Sequence, residues 1–168
     1  DGDEKYITLE FRPISSGPTV PDMMANSALY YGALTYFVNN GIDKKFREEL
    51  PFKDVRGNFY RAAEEGLESN LLWRGQQTVG AIKVVTEITK MAREGLASLS
   101  INQNDIDRYI GIIETRIEEG MSPSDHKINS YSRAMVEGDK DNAIYSVLKE
   151  SHQALHENHP LVRRKREK

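Results

Sequence analysis

The sequence predicts a mainly α fold, a helical bundle preceded by one β-strand. Three observations carry this. Apolar residues recur at three-to-four spacing through most of the chain after Pro21, cap and stop residues bound those stretches, and one short segment near the start has a period of two. At 168 residues the chain fits one folded unit with a core of its own. It has no cysteine, which excludes a disulfide framework, a thiolate zinc site and a cysteine nucleophile. With 23 Lys and Arg against 26 Asp and Glu, the net charge of −3 gives no general attraction to nucleic acid or an anionic membrane. No apolar run nears the ~18 residues that span a bilayer. The opening Asp1-Gly2-Asp3-Glu4 has neither a basic-then-apolar leader nor an initiator methionine. The chain is therefore expected to be a cytoplasmic piece of something longer, without a signal peptide.

The period-two segment is Tyr6 to Arg12. Ile7, Leu9 and Phe11 fall on one face, and Tyr6, Thr8, Glu10 and Arg12 on the other, as in a half-buried strand. Pro13 and the Ser15–Pro18 stretch end it. No second convincing strand follows. A lone strand cannot satisfy its own backbone, so its partners are expected in missing sequence or on another chain, with homo-oligomerisation through the exposed strand as one outcome.

Helices are expected over residues 21–38, 44–49, 54–68, 78–98, from the Asn102 cap to Gly120, from Ser122-Pro123 to Gly138, and 140–157. The first is apolar on most sides, which suits the centre of a bundle, and its Met23, Met24, Tyr30, Tyr31, Tyr36 and Phe37 read as core. Asn39-Asn40-Gly41 stops it. The stretch Leu71-Leu72-Trp73-Arg74-Gly75 reads as a packed loop. On the fourth helix Val79, Ile82, Val85, Ile88, Met91 and Ala92 form a stripe, and on the fifth Ile106, Ile110, Ile113 and Ile117 do so. The expected organisation is a strand and linker over 1–18, a helical domain over 19–160, and a basic, solvated tail over 161–168.

Glu10 and Arg12 are the most informative pair. Two apart on a strand, they project to one face about 7 Å apart. A carboxylate there can hold a hard divalent cation, and a guanidinium can grip a phosphate in a planar fork. The competing reading is a cross-strand salt bridge on a solvated face.

These residues also carry a resemblance. Tyr6-Ile7-Thr8-Leu9-Glu10-Phe11-Arg12-Pro13, followed by Pro18-Thr19-Val20 and an apolar helix, resembles the late part of glutamate–cysteine ligases and related carboxylate–amine ligases. Asn58-Phe59-Tyr60-Arg61-Ala62-Ala63-Glu64-Glu65-Gly66-Leu67 is similar to that family's Asn-x-x-Arg-Ala-Ala-x-x-Gly-Leu helix. Ala92-Arg93-Glu94-Gly95-Leu96 and the Asp105–Glu114 stretch resemble its C-terminal helices.

The resemblance implies that the strand closes an antiparallel sheet of the glutamine synthetase type, most of which precedes this segment. It implies an ATP-dependent ligase that joins the glutamate side-chain carboxylate to an amine through an acyl phosphate. Glu10 would be a Mg²⁺ ligand, Arg12 would neutralise the transferring phosphoryl group, and Asn58 and Arg61 would contact nucleotide or substrate. Phe59 and Glu64 stand where many relatives carry arginine, so the amine is cysteine or another acceptor. Alone, the piece is expected to be inactive.

Other signals read more plainly. His152 and His156 have the i, i+4 spacing of paired metal ligands, but no third ligand stands out, and a solvated helix face suffices. His126 near Ser124 and Asp125 could begin proton transfer, yet capping accounts for the neighbouring serine and aspartate. The chain lacks a Gly-x-Gly-x-x-Gly or Gly-Lys-Ser/Thr loop, so an ATP site would be of the sheet-cradle type. Five basic residues among the last six suit a tail rather than a nucleic-acid surface. A reading from another class is a helical interaction module that adds its N-terminal strand to a partner's sheet.

Overall fold

The computed structural model describes residues 17–75 and 77–163. The expected strand at Tyr6–Arg12, with Glu10 and Arg12, lies outside the described residues. Those described are mainly helical: seven α-helices and one two-stranded antiparallel sheet. No helix among them is long and apolar enough to cross a membrane.

The first helix, α1 (Val20–Asn39), packs against both α4 (Ala81–Ser98) and α5 (Gln103–Glu118), the central position expected of it. Three of its large apolar residues, Met23, Met24 and Tyr31, are exposed, which corrects the core reading for those three, while Tyr30, Tyr36 and Phe37 are half-buried and Leu29 packs against the core. The buried positions are instead Pro21, Asp22, Ala25, Gly32 and Ala33. At the crossing with α4 the two backbones nearly touch: a Cβ on Gly95 would overlap Gly32 O, and one on Gly32 would overlap Ala92 O. Around this contact Ala33, Ala92, Leu96, Ile106 and Ile110 make the core, and Ala25, Ile112 and Ile113 extend it.

The α4 stripe agrees with the expected one in part. Met91 and Ala92 are buried and Val85 and Ile88 pack against the core, but Ile82 is 40% exposed, Val79 is in a strand, and Ala81, Val84, Gly95 and Leu96 are buried as well. Glycine and alanine at the close approach choose the face, and a count of large apolar residues does not weigh them. On α5 the isoleucine stripe holds, with Ile106, Ile110 and Ile113 buried.

Between α1 and α4 run α2 (Ile42–Glu49), α3 (Phe52–Glu65), a 3₁₀ turn at Gly66–Glu68, and the strands β1 (Asn70–Trp73) and β2 (Gln77–Gly80). The strands pair antiparallel with Leu72 opposite Thr78, and Ala81 N donates to Ser69 O at 2.8 Å beyond the ladder. This hairpin overturns the loop reading of 71–75 and delays the start of α4 to Ala81. Each strand has four residues, and Leu71-Leu72-Trp73 does not alternate, so no period of two is visible. Arg74 (φ 24°) and Gly75 (φ 70°) both take the left-handed backbone that reverses the chain.

After α5 comes a helical hairpin, α6 (Pro123–Glu137) and α7 (Lys140–His156). The α6 start is the expected one: Ser122 Oγ accepts from Asp125 N (3.2 Å), and Asp125 Oδ2 accepts from Ser122 N (2.8 Å). Asn102 likewise caps α5.

The two ends of the described chain meet at one carboxylate. Asp22, fully buried, accepts from Arg116 Nη2 of α5 (2.7 Å), Thr19 Oγ1 (2.8 Å) and Leu161 N (3.1 Å). Arg116 Nη1 also donates to Asn26 Oδ1 at 2.8 Å. Leu161 and Val162 are consequently buried, so the packed chain runs past the boundary expected at residue 160. Residues 164–168 lie outside the described residues.

A second cation joins α4 to α5 at the surface. Arg93 makes a fork to Glu114 (2.8 and 2.8 Å) and reaches Asp107 (2.6 Å). The bond from Arg93, then that from Gln103, holds the Asp107 carboxyl below its usual range. A carboxyl lowered on folding contributes stability above its unfolded pKa and loses it as pH falls through the folded value.

Two pairs of variants test this packing. Gly95→Ala should lower stability by about 1–3 kcal/mol through overpacking. Gly111→Ala, where a Cβ would meet nothing within 4 Å, should raise it by about 0.8 kcal/mol through helix propensity. Thermal or urea unfolding reads both. In the same assay Asp22→Ala should cost about 3–5 kcal/mol by stranding the Arg116 guanidinium, with Thr19→Ala costing about 1 kcal/mol.

Candidate functional site

Asn58 and Arg61 lie three apart on α3, and their side chains meet: Arg61 Nη2 donates to Asn58 Oδ1 at 2.8 Å. The same Oδ1 accepts from Leu72 N (2.8 Å), and Asn58 Nδ2 donates to Leu72 O (2.7 Å). The register explains why. Ser69 bonds Ala81 across the ladder, so alternation turns the backbone groups of Leu72 away from β2. The asparagine amide then takes the place of a third strand. It satisfies both groups and fixes the hairpin to α3.

The guanidinium of Arg61 is thereby oriented. Its Nε is buried without a hydrogen-bond partner, and it makes no ion pair among the described residues. A partly buried cation without a carboxylate is an uncompensated positive charge, and such a charge favours an anion at its free face.

Next to this pair is an apolar recess of about 520 Å³, with Asn58 on its wall. Phe37, Phe46, Leu71, Trp73, Val84 and Ile88 line much of it. The aromatic rings are stacked in series: Phe37 to Phe46 at 5.5 Å between centroids, and Phe46 to Trp73 at 5.1 Å, both tilted. Glu87 on α4 secures the far end, accepting from Trp73 Nε1 at 2.9 Å and pairing with Arg74 across the turn. The recess is therefore framed by five elements, α1, α2, α3, β1 and α4, with one oriented cation beside it. Sequence reasoning found Asn58 and Arg61 but missed Trp73 and Glu87. The only signal for these two was the isolated tryptophan ahead of an Arg-Gly turn.

None of the α3 side chains is fully buried, and Phe52 (81% exposed), Phe59 and Tyr60 present aromatic rings outward. Among the described residues no group of three or more histidine or acidic side chains could hold a metal ion. His152 and His156 touch ring to ring at 4.5 Å, and no further ligand joins them among the described residues.

Replacing Asn58 with alanine should strand both backbone groups of Leu72 and cost about 1–3 kcal/mol. Amide hydrogen exchange at Leu72 should accelerate well beyond that at Ile110 in the core. Unchanged exchange at Leu72 would show that the hairpin does not depend on the asparagine. Compared with family models, with curated proteins and with solved structures, the chain matches none.

Proposed function

We propose that this chain is the C-terminal part of an ATP-dependent carboxylate–amine ligase of the glutamate–cysteine ligase type. One observation supports this above the others: Arg61, in the helix that resembles the family's Asn-x-x-Arg motif, is an oriented, partly buried guanidinium that no described carboxylate neutralises. The chemistry of the reading needs such a group. The glutamate side-chain carboxylate attacks the γ-phosphoryl of ATP, the bond from γ-phosphorus to the bridging oxygen breaks, and ADP leaves behind an acyl phosphate. The amine then attacks its carbonyl carbon, an amide forms with loss of the amine proton, and phosphate leaves. Every species on this path carries concentrated negative charge, and fixed cations stabilise it where it develops.

In this reading Arg61 holds a carboxylate or phosphate oxygen, and Asn58 keeps the guanidinium in place. Arg12 neutralises the phosphoryl group in flight. The described residues supply no cluster for Mg²⁺, so the metal would rest on Glu10 and on carboxylates of the preceding sheet. Glutamate and an amine such as cysteine are the substrates.

The test is glutamate- and amine-dependent phosphate release by the full-length parent. Glu10→Ala and Arg12→Ala should each lower turnover by about 10²–10³-fold while the helical circular dichroism signal persists. Arg61→Ala should lower it roughly tenfold, with Arg61→Lys restoring part of the loss. The isolated 168-residue chain should show no turnover. Full activity of the parent carrying Arg12→Ala would defeat the reading.

A further inference from the structure

The helical hairpin of α6 and α7 packs chiefly on itself. Its inner contact is made by small groups. Ser130, buried, donates to Glu150 Oε2 at 2.6 Å, and the half-buried Ala134 follows one turn on. Across from them Ala143 and Ala154 are buried, with Val147 half-buried between. On α7 the positions Ala143, Val147, Glu150 and Ala154 are spaced by four, three and four, the seam of a helix packed along a neighbour.

Each helix carries a second seam, one residue on from the first. On α6 it is Ser124, Ile128, Tyr131 and Met135. On α7 it is Ile144, Leu148, Ser151 and Leu155. Both repeat the spacing of four, three and four. One residue along a helix is a rotation of about 100°. Because the two helices of a hairpin run antiparallel, an equal shift along each chain brings both second seams to the same side. They form one apolar face. Among the described residues nothing covers it: Ile128, Met135, Ile144, Leu148 and Leu155 are each between 40% and 62% exposed. A helix with two seams is patterned for two neighbours, as in a four-helix bundle, and here each has one.

We propose that this face is a dimer interface, on which the α6–α7 hairpin of a second copy of the chain closes a four-helix bundle. Three features fit that occupant. The eight seam positions hold no Asp, Glu, Lys or Arg, so the face meets its own image without repulsion between like charges. The two seams are equally long, so a two-fold axis leaves neither unmatched. Helices of 15 and 17 residues lying side by side offer about 500 Å² per copy, hence about 1,000 Å² in the pair, which reaches the size of a specific interface. The interface is independent of the ligase reading, since it uses none of Glu10, Arg12, Asn58 or Arg61. It is also distinct from association through the Tyr6–Arg12 segment.

Sedimentation equilibrium of the 168-residue chain, from micromolar to near-millimolar concentration, tests this. A reversible doubling of mass is expected. Leu148→Glu, which the symmetry places twice in each dimer, should weaken association by roughly a hundredfold or more. Because Leu148 is exposed in the single chain, the variant should fold, and its circular dichroism spectrum checks that the helices persist. Val136→Glu, one residue beyond the seam and 87% exposed, should leave the dimer unchanged. So should Leu9→Pro, which bars strand pairing by the N-terminal segment. A monomer at every concentration, a dimer as tight with Leu148→Glu as without it, or an equal loss with Val136→Glu would overturn the proposal. Loss with Leu9→Pro and none with Leu148→Glu would also overturn it and assign association to the strand instead.

Discussion

The buried carboxylate of Asp22 is the constraint on which the arrangement of the described chain depends. An unpaired carboxylate with no solvent exposure would be costly, so its oxygens must be met by donors from somewhere. One comes from nearby, Thr19 before α1, and two from places remote in sequence, Arg116 near the end of α5 and the backbone of Leu161. One charge thus sets the angle at which α1 begins, the rotation of α5 about its axis, and the return of the chain after α7. Such a node contributes little net stability relative to apolar packing. It does penalise every arrangement in which one of its partners is elsewhere.

The second constraint is steric. Where α1 crosses α4, Gly32, Ala92 and Gly95 leave no room for a larger group. Backbones that approach this closely gain dispersion contacts along both helices, and large apolar residues such as Met23, Met24 and Tyr31 are displaced to the outside. Where a side chain caps a helix, its boundary was legible in the sequence because capping is local chemistry, whereas the uncapped start of α4 was not. Asn102, the Ser122-Pro123-Asp125 group and the Gly138-Asp139 break all stand where expected. The buried face of α4 was legible only in part: Val85, Ile88, Met91 and Ala92 lie on it, but its glycine contact was not readable. Hydrophobic periodicity weighs side-chain size, and this contact is selected by its absence.

The candidate site was half readable for a related reason. Asn58 and Arg61 announce themselves by helical spacing, and they do meet. What the asparagine bonds to could not be read, because β1 and β2 are too short to show a strand pattern and exist through partners distant in the chain: Asn58 fourteen residues before Leu72, and Glu87 fourteen after Trp73. A hairpin of two four-residue strands alone in water is marginal. Here α3 stitches one edge and α4 the turn. The alternation at Tyr6–Arg12 is, by contrast, the clearest strand signal in the sequence, and it lies outside the described residues.

Trp73 has a practical corollary. It is the only tryptophan in the chain, and its indole lies on the wall of the apolar recess with its N–H held by Glu87. Tryptophan emission, excited at the long-wavelength edge where the eight tyrosines do not absorb, therefore originates at one known place. A molecule entering the recess changes the polarity around that single chromophore, and loosening of the hairpin frees the indole from its carboxylate. The protein carries a built-in optical reporter of the state of this site, readable without any label.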